Sequence, residues 1–171
     1  MLLLTRGTCR EDNLKSFTAI YVSLYCVERV LMSEKRKLLA VIRVRGTVKV
    51  RQSIAETLDR LRLKRVNNLV LVSATPDYYG MVKKSKDFVT YGEISPETLS
   101  KLFKSKEVDV KEADQKALID GEKTVKDLAI ALPFRMHPPK HGYEGIKKGY
   151  GEGGALGNRG AEINKLIARM L

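Results

Sequence analysis

The sequence predicts an α+β fold. Its expected form is a compact β-α-β-α-β core, with a three-stranded sheet covered by helices on one face, plus an appended helical region and a basic, glycine-rich arm. Three observations carry this expectation. Short apolar runs rich in strand-forming residues recur at 38–44, 69–72 and 88–92. The stretches between them space their apolar residues as helices do. Residues 133–160, PFRMHPPKHGYEGIKKGYGEGGALGNRG, are too polar and too glycine-rich to pack a core.

The first strand is Leu38-Leu39-Ala40-Val41-Ile42-Arg43-Val44. Alternation at its end turns Val44 inward and faces Arg43 and Arg45 outward. Gly46 marks a turn, and the loop that follows brings Lys49 and Arg51 near those arginines. Ser53-Ile54-Ala55-Glu56 has the spacing of a capping box, so a helix should begin there, with Ile54, Leu58 and Leu61 as its buried stripe. Arg60, Arg62, Lys64 and Arg65 crowd its end, more cations than the helix dipole needs.

Asn67 and Asn68 lead into the second strand. Thr75-Pro76-Asp77 turns into a short helix bearing Tyr79, Lys83 and Lys84, and Phe88–Gly92 is the third strand. Two helices covering one face leave the other wet or occupied by a partner. Ser95-Pro96-Glu97 is a strong helix start, with Leu99, Leu102 and Phe103 as its apolar face. Further helices are expected over 112–120 and, capped by Thr124, through Ala131. Pro133 to Met136 reads as a brief extended segment. Ala161 to Leu171 is amphipathic through Ile163, Leu166, Ile167 and Met170. Eleven residues are marginal alone, so this helix should dock, most simply on its own core.

These elements divide the chain into residues 1–31, a core at 32–94, a helical appendage at 95–132, an arm at 133–160 and a closing helix at 161–171. Residues 1–31 differ from the rest in charge and pattern. Phe17 to Val27 resembles the apolar region of a signal peptide, yet no small-residue cleavage site follows, and the run is too short to span a bilayer. Met32-Ser33-Glu34-Lys35 reads as the working start, with the preceding residues arising from an upstream initiation codon.

The 171 residues carry a formal net charge of +12, a balance that suits a polyanionic partner. The charge is uneven. Met32 to Thr75 has eleven Lys or Arg against three acids, and residues 129–171 have seven against three, whereas Ser95 to Leu128 is near neutral. Eight of the nineteen residues from Gly142 to Gly160 are glycine, set among Tyr143, Lys147, Lys148, Tyr150 and Arg159. Glycine permits close backbone approach, cations neutralise phosphates and tyrosine stacks on bases. A flexible linker would have no need of such cations. Folded RNA is the partner this composition suits, and Pro138-Pro139 makes the segment an arm that reaches away from the core and is held at both ends.

Catalytic chemistry is not indicated. The glycine run lacks the spacing of a phosphate-binding loop, no serine sits in a nucleophile elbow, and His137 and His141 lie on a loop without a nearby carboxylate or cysteine. Both cysteines, Cys9 and Cys26, precede Met32, which excludes a thiolate metal site beyond it. An acylphosphatase-like hydrolase holding phosphate at Arg43 and Arg45 is the enzymatic alternative. It leaves the arm unused and lacks a water-positioning residue. A free RNA-binding regulator is a third reading.

Taken together, LLAVIRVRG, IAETLDRLRL, NNLVLV, Tyr79-Gly80-Met81-Val82 and Phe88-Val89-Thr90-Tyr91-Gly92-Glu93-Ile94 resemble the large-subunit ribosomal protein L-thirty family. PFRMHPPKHGYEG and the glycine tail resemble its archaeal form, related to the eukaryotic protein called L-seven. The resemblance covers residues 32–171, and the preceding residues depart from it. It implies a structural role in the cytoplasmic ribosome: binding large-subunit rRNA and 5S rRNA beside neighbouring ribosomal proteins, with no enzyme activity, cofactor, metal or membrane. The RNA contacts it suggests are Arg43, Arg45, Lys49 and Arg51, then Tyr79, Gly80, Lys83 and Lys84. The arm adds Arg135, His137, Lys140, His141, Tyr143, Lys147, Lys148 and Arg159.

Overall fold

The computed structural model describes residues 37–171, apart from 109, 122, 126 and 129. The expectations for residues 1–31 and for a start at Met32 lie outside the described residues. In chain order the elements are β1 (Leu38–Arg43), α1 (Gln52–Arg60), β2 (Asn68–Ser73), α2 (Pro76–Lys84) and β3 (Val89–Glu93). They continue as α3 (Pro96–Ser105), α4 (Glu112–Ile119), β4 (Phe134–Arg135), β5 (Gly157–Asn158) and α5 (Ile163–Met170).

The sheet has the order β4-β2-β1-β3-β5. β1 lies at its centre, antiparallel to β2 and to β3, with Ile42 opposite both Leu69 and Thr90. The expected three strands are thus the middle of a five-stranded mixed sheet. A two-residue strand flanks each edge: β4 runs antiparallel to β2 and β5 parallel to β3.

Helices cover both faces, which corrects the expectation of one covered and one open face. On one side Val41, Val70, Val72, Val89 and Tyr91 pack against Leu58, Leu61, Leu63 and Val82, from α1, its return and α2. On the other, Leu38, Ala40, Ile42, Leu69 and Leu71 meet Leu99, Leu102 and Phe103 of α3 and Leu118 of α4. Ile163, Leu166, Ile167 and Met170 of α5 complete that layer, so the closing helix does dock on its own core. All six residues of β1 are buried. A strand without alternation is one with two covered faces.

Local signals fared unevenly. Thr75 and Ser95 cap α2 and α3 through their side chains, each followed by proline. The expected capping box at Ser53 does not form. Helix α1 starts two residues earlier, with Arg51 rather than Ser53 in the N-cap position and no side-chain cap. In place of a helix from Thr124 to Ala131, the described residues there form turns. The Thr124 backbone N–H and hydroxyl both donate to Asp127 Oδ2, at 2.7 and 2.8 Å. The Asp127 N–H donates back to Thr124 O at 3.0 Å, which closes a single turn.

The glycine-rich segment also departs from expectation, because it does pack. Phe134, Met136, Ala155 and Leu156 are buried. The Met136 N–H donates to Asn67 O at 3.0 Å, the His137 N–H to Met170 O at 3.3 Å and the Lys140 N–H to Arg169 O at 3.0 Å. Arg169 of α5 in turn donates to the carbonyls of Lys140 and Gly142. Further on, Ala155 and Leu156 sit on Val44 with Tyr143 beside them, and β5 closes the sheet. What composition suggested was an arm reaching away is a strap laid across the end of the sheet. A side chain at Gly154 would collide with the Lys148 carbonyl, so here glycine serves close packing within the strap.

Candidate nucleic-acid interface

Strand register determines where the cations go. β1 ends where β2 and β3 begin, since Ile42 and Arg43 lie opposite Leu69 and Val89. β4 ends beside the start of β2, and β5 starts beside the start of β3. One end of the sheet therefore gathers the loop after β1, the chain entering β2 and β3, and the strap that leaves β4 and returns to β5. Helices α2, α3 and α5 also finish toward this end: Lys83 and Lys84 close α2, Lys106 Nζ donates to Arg135 O at 2.6 Å, and Arg169 holds the strap. The opposite end bears the helix starts, with Asp77 and Glu97 in first turns, and the Lys37–Glu93 ion pair at 2.9 Å.

Lys49, Arg51, Lys83, Lys84, Arg135, His137, Lys140, His141, Lys147 and Lys148 are exposed. None of them belongs to the three ion pairs formed among the described residues, which join Lys37 to Glu93, Lys123 to Asp114 and Lys165 to Glu162. Lys49 and His141 have φ of 58° and 68°, the left-handed region, at loop corners. Arg45 is half-buried, its guanidinium 5.1 Å over the Phe88 ring and donating to Asp87 O at 3.3 Å. That stacking orients the cation while leaving part of it accessible. Lys64 and Arg65, in the chain entering β2, are also exposed at this end. Their crowding after α1 was the sequence signal for them.

Arg43 does not face outward. It is 1% exposed. Its Nη1 donates to Leu63 O at 2.6 Å and Lys64 O at 3.0 Å, and its Nε to Arg45 O at 2.8 Å. Burial pushes its pKa down, opposed by the charge of Asp59. Arg43 shares the face of Val41, which α1 and its return at 61–67 cover, so the guanidinium is enclosed by carbonyls. It acts as an internal strut under the exposed Lys64 and Arg65. No phosphate can reach it, which leaves Arg45 as the accessible member of the arginine pair that the hydrolase alternative needs.

Tyr143 is likewise no free stacking platform. It is half-buried, and its hydroxyl donates to Asn67 Oδ1 at 2.8 Å. Burial raises its pKa to about 12, with Arg159 opposing. Arg159 is half-buried and stacks 4.8 Å over Tyr150, whose hydroxyl bonds Glu162. That bond raises the Tyr150 pKa and lowers that of Glu162. Tyr79 is 45% exposed and meets Tyr91 edge-on at 6.3 Å. Gly80 is exposed with open space around it. Both lie on α2, apart from the strap.

Among the described residues no group of His, Cys, Asp and Glu could hold a metal ion, and no helix is long and apolar enough to cross a membrane. The arrangement gathers exposed positive charge at one end of the sheet, above a buried arginine.

Residues 39–89 match the family described as ribosomal protein L30p/L7e. The large ribosomal subunit protein uL30 of Methanococcus maripaludis is 44% identical over 152 residues, covering 77% of this chain and 98% of that protein. Its namesake from Methanobrevibacter smithii is 44% identical over 149 residues, with the same coverage. That of Thermoplasma acidophilum is 41% identical over 153 residues, covering 78% and 93%. The chain belongs to the uL30 family of large-ribosomal-subunit proteins.

Proposed function

We propose that this protein is a structural constituent of the large ribosomal subunit, working in the cytoplasmic ribosome, and that it binds and stabilises rRNA through the cationic end of its sheet. The family is a structural, non-enzymatic one. The observation that supports the RNA-binding surface is the gathering of exposed, unpaired Lys49, Arg51, Lys83, Lys84, Arg135, Lys147 and Lys148, with the oriented Arg45, at one end of one sheet. Phosphate contacts from these side chains would supply affinity and position, and the shape of the RNA would supply specificity. Large-subunit rRNA is the main partner in this reading, with 5S rRNA a second one and neighbouring ribosomal proteins on the remaining surface.

Sucrose-gradient sedimentation of cell extract tests it. The protein should migrate with large subunits and leave them only at high salt. A free regulator would bind RNA yet fractionate away from ribosomes, and that result would reject the proposal.

A further inference from the structure

We infer that Val48, Val66 and Ile146 are apolar tips that contact unstacked bases, so that the chain recognises interrupted rather than fully paired RNA. This rests on the RNA-binding reading above and specifies its target.

Among the described residues four large apolar side chains are exposed: Val48 at 85%, Ile146 at 48%, Tyr79 at 45% and Val66 at 39%. Three of the four lie in loops at the cationic end. Val48 is in the loop that leaves β1. Val66 precedes Asn67, whose N–H donates to Arg43 O at 2.8 Å. Ile146 follows Gly145, whose carbonyl accepts from the Ala155 N–H, and Ala155 packs on Val44. All three thus stand one to four residues from groups anchored on Arg43 or Val44, in three segments distant in sequence.

Each tip is flanked by cations. Val48 adjoins Lys49 and lies between Arg45 and Arg51, Val66 follows Lys64 and Arg65, and Ile146 precedes Lys147 and Lys148. Phosphate binding alone gives no role to an aliphatic tip. A continuous RNA duplex offers phosphates, ribose hydroxyls and a shallow groove of polar edges, with little apolar surface for valine or isoleucine. Bases splayed at a bulge or internal loop expose their faces, and aliphatic wedges pack against such steps. Cations beside each tip would hold the neighbouring phosphates, which favours RNA over an apolar protein surface.

The test is the triple variant V48S/V66S/I146S, which leaves charge unchanged, with V48S/I146S as a second variant in case the partly buried Val66 affects folding. Binding is measured to transcribed large-subunit rRNA, to 5S rRNA and to a perfectly paired RNA duplex across a salt series. Affinity for large-subunit rRNA should fall about tenfold in the triple variant, with the salt slope and duplex affinity unchanged, and the double variant should show part of that loss. Undiminished rRNA affinity, or an equal loss on rRNA and duplex, would overturn the inference. So would intact rRNA affinity combined with poor incorporation into subunits, which would place the tips against protein. Wild-type protein that fails to bind rRNA would instead reject the broader reading.

Discussion

Replacing Arg43 with alanine distinguishes an internal strut from a phosphate contact. Three carbonyls lose a charged donor, and such hydrogen bonds contribute about 1.5–3 kcal/mol each, or roughly 6 kcal/mol together. Burying the side-chain stem adds about 2 kcal/mol. Opposing these is the desolvation of the guanidinium, several kcal/mol that the variant no longer bears, made worse in the wild type because Nη2 is buried with no hydrogen-bond partner. The net destabilisation is about 3 kcal/mol, enough to lower Tm by about 10 °C. Urea unfolding followed by circular dichroism reads the loss. Salt-dependent RNA binding, measured where the variant remains folded, reads the contact. A strut leaves the slope of log affinity against log salt unchanged, whereas a lost phosphate contact flattens it by about 0.7–0.9. Stability within about 1 kcal/mol of wild type, or a flatter slope, would refute the assignment.

Two further outcomes follow from the same geometry. Lys147→Gln with Lys148→Gln should leave stability unchanged and flatten the salt slope of rRNA binding by about 1.5, from two phosphates released; an unchanged slope would make the strap a structural tie only. The raised pKa of Tyr143 predicts a pH effect. The unfolded phenol titrates near 10 and the folded one near 12, because burial disfavours the phenolate. The folded state therefore holds a proton that the unfolded state releases, and stability declines as pH rises from about 10 to 12. Tyr143→Phe should flatten that decline; equal declines would mean the phenol is open to solvent in the fold.

Much of this architecture was legible locally. The three long strands lie within a residue of their expected positions, and the proline-led caps at Thr75 and Ser95 form as their spacing requires. The second covered face was also written in the chain. Leu38–Ile42 is a continuous apolar run, the mark of a strand buried on both sides, and the stripes on α3 and α5 needed a surface to match it. Arg43 was misread because alternation gives the face but says nothing of what covers it, and its cover, the return at 61–67, lies some twenty residues away. The strap was misread for a related reason. Glycine and lysine content argues against a core locally, while Ala155, Leu156 and Tyr143 find theirs on Val44 and Asn67, about 75 to 112 residues earlier. The register that places loop, helix ends and strap at one end of the sheet is a long-range property, which no single motif displays.

We propose that this sheet end, through its exposed cations, ties the protein to rRNA. The most direct test is competition between tagged wild type and the variant R45E/K49E/R51E for incorporation into large subunits, read by sucrose gradient. All three side chains lie outside the core, so the variant should show the wild-type circular dichroism spectrum yet remain at the top of the gradient while wild type enters the subunit peak. A folded variant that enters that peak as efficiently as wild type would contradict the claim.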